Sequence, residues 1–174
     1  MTPILDGSRH NAQSPGARGV DPTAFRDALA LFPAGVTGVS TMSPDGPYGT
    51  TVTAFSALSL DPPMVLTAFG ERSRALAHIR REGRFGVSFL SADHTEIARE
   101  LASTGDKSET SCDWELRDGL PVVAGARVQL LAEACDLHRG GDHFIVCGRV
   151  THSALRPEAA APLVYYGRTF LTAA

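Results

Sequence analysis

Gly49-Thr50-Thr51-Val52-Thr53-Ala54-Phe55-Ser56-Ala57-Leu58-Ser59-Leu60-Asp61-Pro62-Pro63-Met64-Val65-Leu66 is the stretch on which the reading of the fold turns. Its first half is rich in β-branched residues and predicts a strand from about Tyr48 to Phe55. A run of small hydroxyl side chains follows, and the double proline stops it. Neither Pro62 nor Pro63 donates a ladder hydrogen bond, and Pro62 pushes Asp61 into extended geometry. Met64 to Phe69 then reads as a second strand, apolar enough to lie inside a sheet. A strand ending in this way offers N–H groups and hydroxyls without obligatory partners, which suits the carbonyl- and nitrogen-edged rim of a flat heteroaromatic ring. Taken alone, the simpler reading is a Thr-rich edge strand followed by a tight corner.

Working back from this stretch, Pro44-Asp45-Gly46-Pro47 predicts a turn from a strand over Gly35 to Ser43. Before that, Asp21 makes a good N-cap with Pro22 at the first helical position, and Phe25, Ala28, Leu29 and Phe32 recur at helical spacing. A short helix with one apolar face is expected there, ended by Pro33 and Gly35. Residues 1–20 mix Gly, Pro, Ser, Asn and Arg without periodicity, so a disordered tail is expected ahead of one domain over 21–174.

Working forward, Ser73 predicts the cap of a helix that runs to Glu82 and stops at Gly83. Arg84 to Leu90 reads as a strand. Asp93-His94-Thr95-Glu96 has the capping-box pattern, with Ile97 and Leu101 on the buried face of the helix that follows. Gly105 to Glu115 is polar and aperiodic, a surface loop. Asp118-Gly119 predicts a turn, and Ala126 to His138 a long strand joined through Arg139-Gly140-Gly141-Asp142 to its partner over His143 to Ser153. Strands outnumber helices and short turns join most of them, which argues for a β-barrel with helices packed outside.

At 174 residues the chain fits one domain with a substantial core. Its 43% hydrophobic and 20% charged residues are ordinary for a globular protein, and a net charge of -3 gives no general attraction to nucleic acid or an anionic membrane. Three cysteines, Cys112, Cys135 and Cys147, form no CxxC pair; an odd, scattered set fits reduced thiols in a cytoplasmic setting. No apolar run approaches membrane-spanning length and no signal-peptide core opens the chain. There is no G-x-S-x-G for a hydrolase and no G-x-G-x-x-G for a Rossmann dinucleotide site. His138 and His143 flank one hairpin, but no third ligand stands at useful spacing, so no metal site is expected.

Phe32-Pro33-Ala34-Gly35-Val36-Thr37, Ser59-Leu60-Asp61-Pro62-Pro63 and Gly141-Asp142-His143, in that order, resemble the short-chain flavin reductase family, the reductase components of two-component flavin monooxygenases. The resemblance runs from about Phe25 to the C-terminus. It implies a split β-barrel of the FMN-binding type, mainly β with peripheral helices, usually a homodimer with flavin at the subunit interface. It also implies hydride transfer from NADH or NADPH to FMN or FAD, with reduced flavin passed to a partner oxygenase.

Carried onto this chain, the resemblance places the flavin along Thr50, Thr51, Val52, Thr53, Ala54, Phe55 and Ser56, where N–H and hydroxyl donors would favour the reduced, anionic ring. Ser73 and Arg74, at a predicted helix start, suit the flavin phosphate. Lys107 is the matching cation of the later loop, although Ser108 stands where the family often has an aromatic residue. His143 corresponds to the residue near the flavin face where nicotinamide stacks, able to orient it or supply a proton. Tyr166 and Arg168 belong to a terminal Tyr-x-Gly-x-x-Phe pattern that packs by the same site. Each has a plainer reading: β-propensity for the threonines, a simple cap and a solvated arginine for Ser73-Arg74, a turn histidine, a terminal strand with one aromatic face. A flavin carrier or sensor without catalysis, built on the same barrel, remains the alternative to the enzyme.

Overall fold

The computed structural model of the chain describes residues 19–103, 110–158 and 160–172. The expected tail over 1–18 and the candidate Lys107 lie outside the described residues. In chain order the elements are α1 (Pro22–Ala30), β1 (Ala34–Gly35), β2 (Thr37–Ser43), β3 (Gly46–Val52), β4 (Phe55–Leu60), β5 (Pro63–Gly70), α2 (Arg74–Glu82) and β6 (Arg84–Phe89). A 3-10 turn at Ala92–His94 leads into α3 (Thr95–Ala102). Then come β7 (Trp114–Arg117), β8 (Leu120–Val123), β9 (Val128–Gly140), β10 (His143–Leu155), β11 (Leu163–Tyr166) and β12 (Thr169–Thr172).

Seven strands form one antiparallel sheet in the order β3-β2-β6-β9-β10-β5-β4. Successive strands β3 and β4 therefore stand at opposite edges of it. The sheet curls until those edges face each other: Phe55 of β4 meets Phe89 of β6 edge-on at 5.3 Å, and Val52 of β3 shares a core with Val65 and Phe69 of β5. The edges do not pair, so the barrel is split. A β7–β8 hairpin and a small β1-β11-β12 sheet complete the fold.

Helix α2 plugs the barrel with Ala75, Leu76 and Ile79, packed against Phe85, Val87 and Phe69. Burying Leu76 and Ile79, each 1% exposed, stabilises this arrangement by roughly 1.5–3 kcal/mol per side chain. A second core lies under α3, where Ala98 and Leu101 meet Val36, Leu90, Val123 and Leu163. The Trp114 indole packs on Gly49, so close that a Cβ there would stand 2.5 Å from it. That glycine is required by a neighbour distant in sequence.

Three sequence expectations change. The strand expected to run from Tyr48 to Phe55 ends at Val52, and Phe55–Leu60 is a separate strand. The break falls at Thr53-Ala54 because β3 finds its partner in β2 and β4 finds its own in β5, across the barrel. The double proline does stop the strand as expected, forming the tight turn between β4 and β5, with Pro63 opening β5 opposite Leu60, a strand-start position that needs no N–H. The capping box sits further back: Ser91 and His94 satisfy each other, with His94 Nδ1 2.8 Å from Ser91 Oγ and Nε2 3.0 Å from the Ala124 carbonyl. Finally, α1 forms with Asp21 capping the Ala24 amide, but its apolar residues are not buried: Phe25 and Leu29 are each 54% exposed.

Candidate functional site

The Thr53-Ala54 corner, the start of α2 and His143 all lie at one end of the sheet. The register brings them there. Phe55 pairs with Thr67, and the Ala54 carbonyl accepts from the Ala68 amide at 3.0 Å, so the corner lies beside the last third of β5. Ala68 in turn pairs with Ile145, and Gly70 with His143. Three residues beyond Gly70, Ser73 caps α2. From the other flank Gly35 pairs with Val164, while Thr37 pairs with Val52, the last residue before the corner.

Thr53, Ala54 and Ser56 are exposed, and Phe55 is half-buried against Phe89. Thr50 and Thr51 differ from the sequence reading: their hydroxyls donate to carbonyls near the C-terminal end of α3, Thr50 to Leu101 at 3.2 Å and Thr51 to Ala98 at 2.7 Å. These two side chains hold α3 on β3. The polar groups turned outward are the backbone of the corner and the hydroxyls of Thr53 and Ser56; the latter also donates to the Ala57 carbonyl.

At α2, Ser73 Oγ accepts from the Leu76 amide at 3.3 Å, and no acidic residue stands in the first turn. Helix-start amides with a hydroxyl and the Arg74 guanidinium make a donor set that suits a phosphate. Arg74 lies 5.7 Å from the Tyr48 ring centre, and His78, one turn on, packs against the same ring at 4.9 Å. Burial, with Arg81 and Arg74 nearby, holds the His78 imidazole below its ordinary pKa. Tyr48 and His78 escaped the sequence reading. The i, i+4 spacing of Arg74 and His78 was the available signal.

His143 opens β10 half-exposed, with Nδ1 2.8 Å from Asp142 Oδ1. That bond, and the imidazole's charge when present, hold the Asp142 carboxyl below its ordinary range. The Asp142 carbonyl accepts from the Glu71 amide at 2.9 Å, and Arg139 pairs with Glu71 at 3.3 Å, so the β9–β10 turn is tied to the segment leading to Ser73.

Tyr166 and Arg168 occupy the β11–β12 turn, where Gly167 and Arg168 both take positive φ. This hairpin docks on α1 through Gly167 N–H to the Ala30 carbonyl at 2.7 Å and an Arg168–Asp27 ion pair. Beside it, Arg99, Ala102, Ser103, Tyr165 and Phe170 line an open cleft with Arg168 and Thr169. Within one chain, Arg168 is therefore held by α1 rather than by His143 or Ser73.

The donor set at this end fits a flavin nucleotide: backbone groups at the corner for the ring edge, helix amides with Ser73 and Arg74 for the phosphate. No helix of the described residues is long and apolar enough to cross a membrane.

Residues 29–174 match the flavin reductase like domain. The chain is 34% identical over 153 residues to the FMN reductase (NADH) SmoA of Agrobacterium fabrum, covering 87% of this chain and 86% of that protein. It is 32% identical over 149 residues to HsaB, the reductase subunit of a flavin-dependent monooxygenase of Mycobacterium tuberculosis, covering 84% and 80%. Among solved structures, an NADH:FAD oxidoreductase of Streptomyces globisporus superposes with a TM-score of 0.81 at 32% identity, over 92% of this chain and 99% of that one. A split barrel with this strand order, and a sequence match running from within α1 to the C-terminus, place the chain in the flavin reductase-like family.

Proposed function

We propose that the protein is an NADH-dependent flavin reductase that delivers reduced FMN or FAD to a partner oxygenase. The observation that carries the reading is the convergence of the Thr53-Ala54 corner, the α2 start and His143 at one end of the sheet. The similarity to an FMN reductase (NADH), to an NADH:FAD oxidoreductase and to a monooxygenase reductase subunit supports both the reaction and the delivery.

A bound flavin would supply the redox chemistry, as acceptor of a hydride from NADH. The chain's own work is binding and orientation. Thr51 to Ser56 holds the ring edge, chiefly through backbone groups, since the Thr50 and Thr51 hydroxyls already serve α3. Ser73, Arg74 and the first amides of α2 hold the phosphate, with Lys107 as a second cation. His143 orients the nicotinamide through Nε2, its Nδ1 being held by Asp142. Tyr166 and Arg168 reach the site as part of a homodimer, the arrangement that also covers Phe25 and Leu29 of α1. The setting is cytoplasmic, in keeping with three free cysteines.

The test is steady-state oxidation of NADH, and in parallel NADPH, followed at 340 nm with added FMN or FAD. Flavin-dependent turnover with NADH is expected, with NADPH the weaker donor. Tight flavin binding without turnover by either donor would leave a carrier instead.

A further inference from the structure

We propose that Cys135 and Cys147 form a peroxide-oxidisable thiol pair in which Cys135 reacts first and Cys147 closes a disulfide onto it. The register of the β9–β10 ladder brings them together. Cys147 pairs with Asp136 and Gly148 with Ala134, so Cys135 is the extra residue of a bulge and faces the Cys147–Gly148 step of β10. Its Sγ lies 3.3 Å from the Cys147 carbonyl oxygen. A residue outside the ladder's pairing has the local freedom that disulfide geometry requires.

Exposure separates the roles. Cys135 is exposed, whereas Cys147 is 8% exposed and Cys112 7%. Burial, followed by the charges of Cys135 and Asp136, raises the Cys147 thiol pKa. Arg149, paired with Glu133 at 2.6 Å, is the cation two residues on from Cys147 along β10. Cys112 is the internal control: burial, then Asp113 and Glu100, push its thiol up to about 12.

The chemistry balances with hydrogen peroxide as oxidant. The Cys135 sulfur attacks one peroxide oxygen, the O–O bond breaks, and a sulfenic acid and one water result. The Cys147 sulfur then attacks the Cys135 sulfur, the S–O bond breaks, and the second water leaves as the disulfide forms. Two thiols lose two electrons in all, and peroxide becomes two waters. Reduced flavin released into air is oxidised by dioxygen with formation of hydrogen peroxide, so the proposed activity generates the oxidant in the solution around the pair. Only that source rests on the flavin reductase reading; the pairing does not.

The experiment uses the full-length, fully reduced chain, treated with a small excess of hydrogen peroxide, quenched by alkylation and read by intact mass and peptide mapping. The expected result is loss of two hydrogens, a Cys135–Cys147 peptide link, and Cys112 still alkylated, with the link forming at least about tenfold faster than any change at Cys112. Cys147→Ser should stop at a sulfenic acid on Cys135, trapped by dimedone, and Cys135→Ser should give neither product. Over-oxidation of Cys135 without a link, a link between chains, or equal reaction at Cys112 would overturn the proposal. A second arm replaces added peroxide by aerobic turnover with NADH and FMN, with and without catalase. A link in the first arm but not the second leaves the pair standing and counts against the supply of peroxide by turnover.

Discussion

His143 carries the sharpest residue-scale test. Held at Nδ1 by Asp142, it presents Nε2 beside Gly70, where a side chain's Cβ would stand 3.9 Å away. If it positions nicotinamide, His143→Ala raises the KM for NADH and leaves flavin affinity nearly intact. One neutral hydrogen bond is worth roughly 0.5–1.5 kcal/mol, so kcat/KM should fall about 2- to 13-fold. A proton supplied in the rate-limiting step would instead cost about 100-fold or more. Stopped-flow flavin reduction across pH distinguishes these, and the smaller loss is expected because hydride transfer needs no simultaneous proton. At this scale the sequence was informative where meaning is local, as in the Gly141-Asp142 turn that leads into β10 at His143. It was silent on Gly49, because the indole that demands a glycine there belongs to Trp114, and on the hydroxyls of Thr50 and Thr51, whose acceptors belong to α3.

Helix α2 was legible almost to the residue, since its Ser73 cap and left-handed Gly83 stop are written in adjacent positions. It also supports a clean test of the phosphate site. Asp caps a helix about as well as Ser, so Ser73→Asp should leave the thermal unfolding midpoint nearly unchanged. A carboxylate against a phosphate costs at least about 1 kcal/mol, so flavin affinity should fall about fivefold or more by fluorescence titration. Equal affinity would remove Ser73 from the site. The β3–β4 break was not legible, because it depends on which strands pair across the barrel. Helix α3 shows another tie of this kind: Glu100 receives hydrogen bonds from the Ser111 hydroxyl, the Ser111 amide and the Thr110 hydroxyl. These bonds hold its pKa below the ordinary 4.5, the Ser111 hydroxyl foremost. A depressed carboxyl stabilises the fold above its unfolded pKa and loses that contribution as pH falls through the folded one. Ser111 amide protection, read by hydrogen exchange, should therefore hold at pH 6 and drop below about pH 4.5, whereas Glu100→Gln should abolish the pH step.

For the whole molecule the expected state is a C2 homodimer. Leu29→Glu, on the exposed face of α1, should shift light-scattering mass toward the monomer at micromolar concentration while circular dichroism stays native. A wild-type chain that is monomeric and fully active would refute the dimer. The barrel class was readable from strand count and turn spacing; the exposed face of α1 was not, since apolar periodicity does not say whether a helix packs on its own chain or on another. The unclosed seam also bears on solubility. A closed barrel has no strand edge, whereas among the described residues β4 pairs only with β5, and an unpaired edge is a template for foreign strands. The features that interrupt that edge are already in place: the register shift between Ala57 and Ser59 breaks β4, and Pro62-Pro63 ends it. The double proline that turns β4 into β5 thus also limits the length of edge open to a foreign strand.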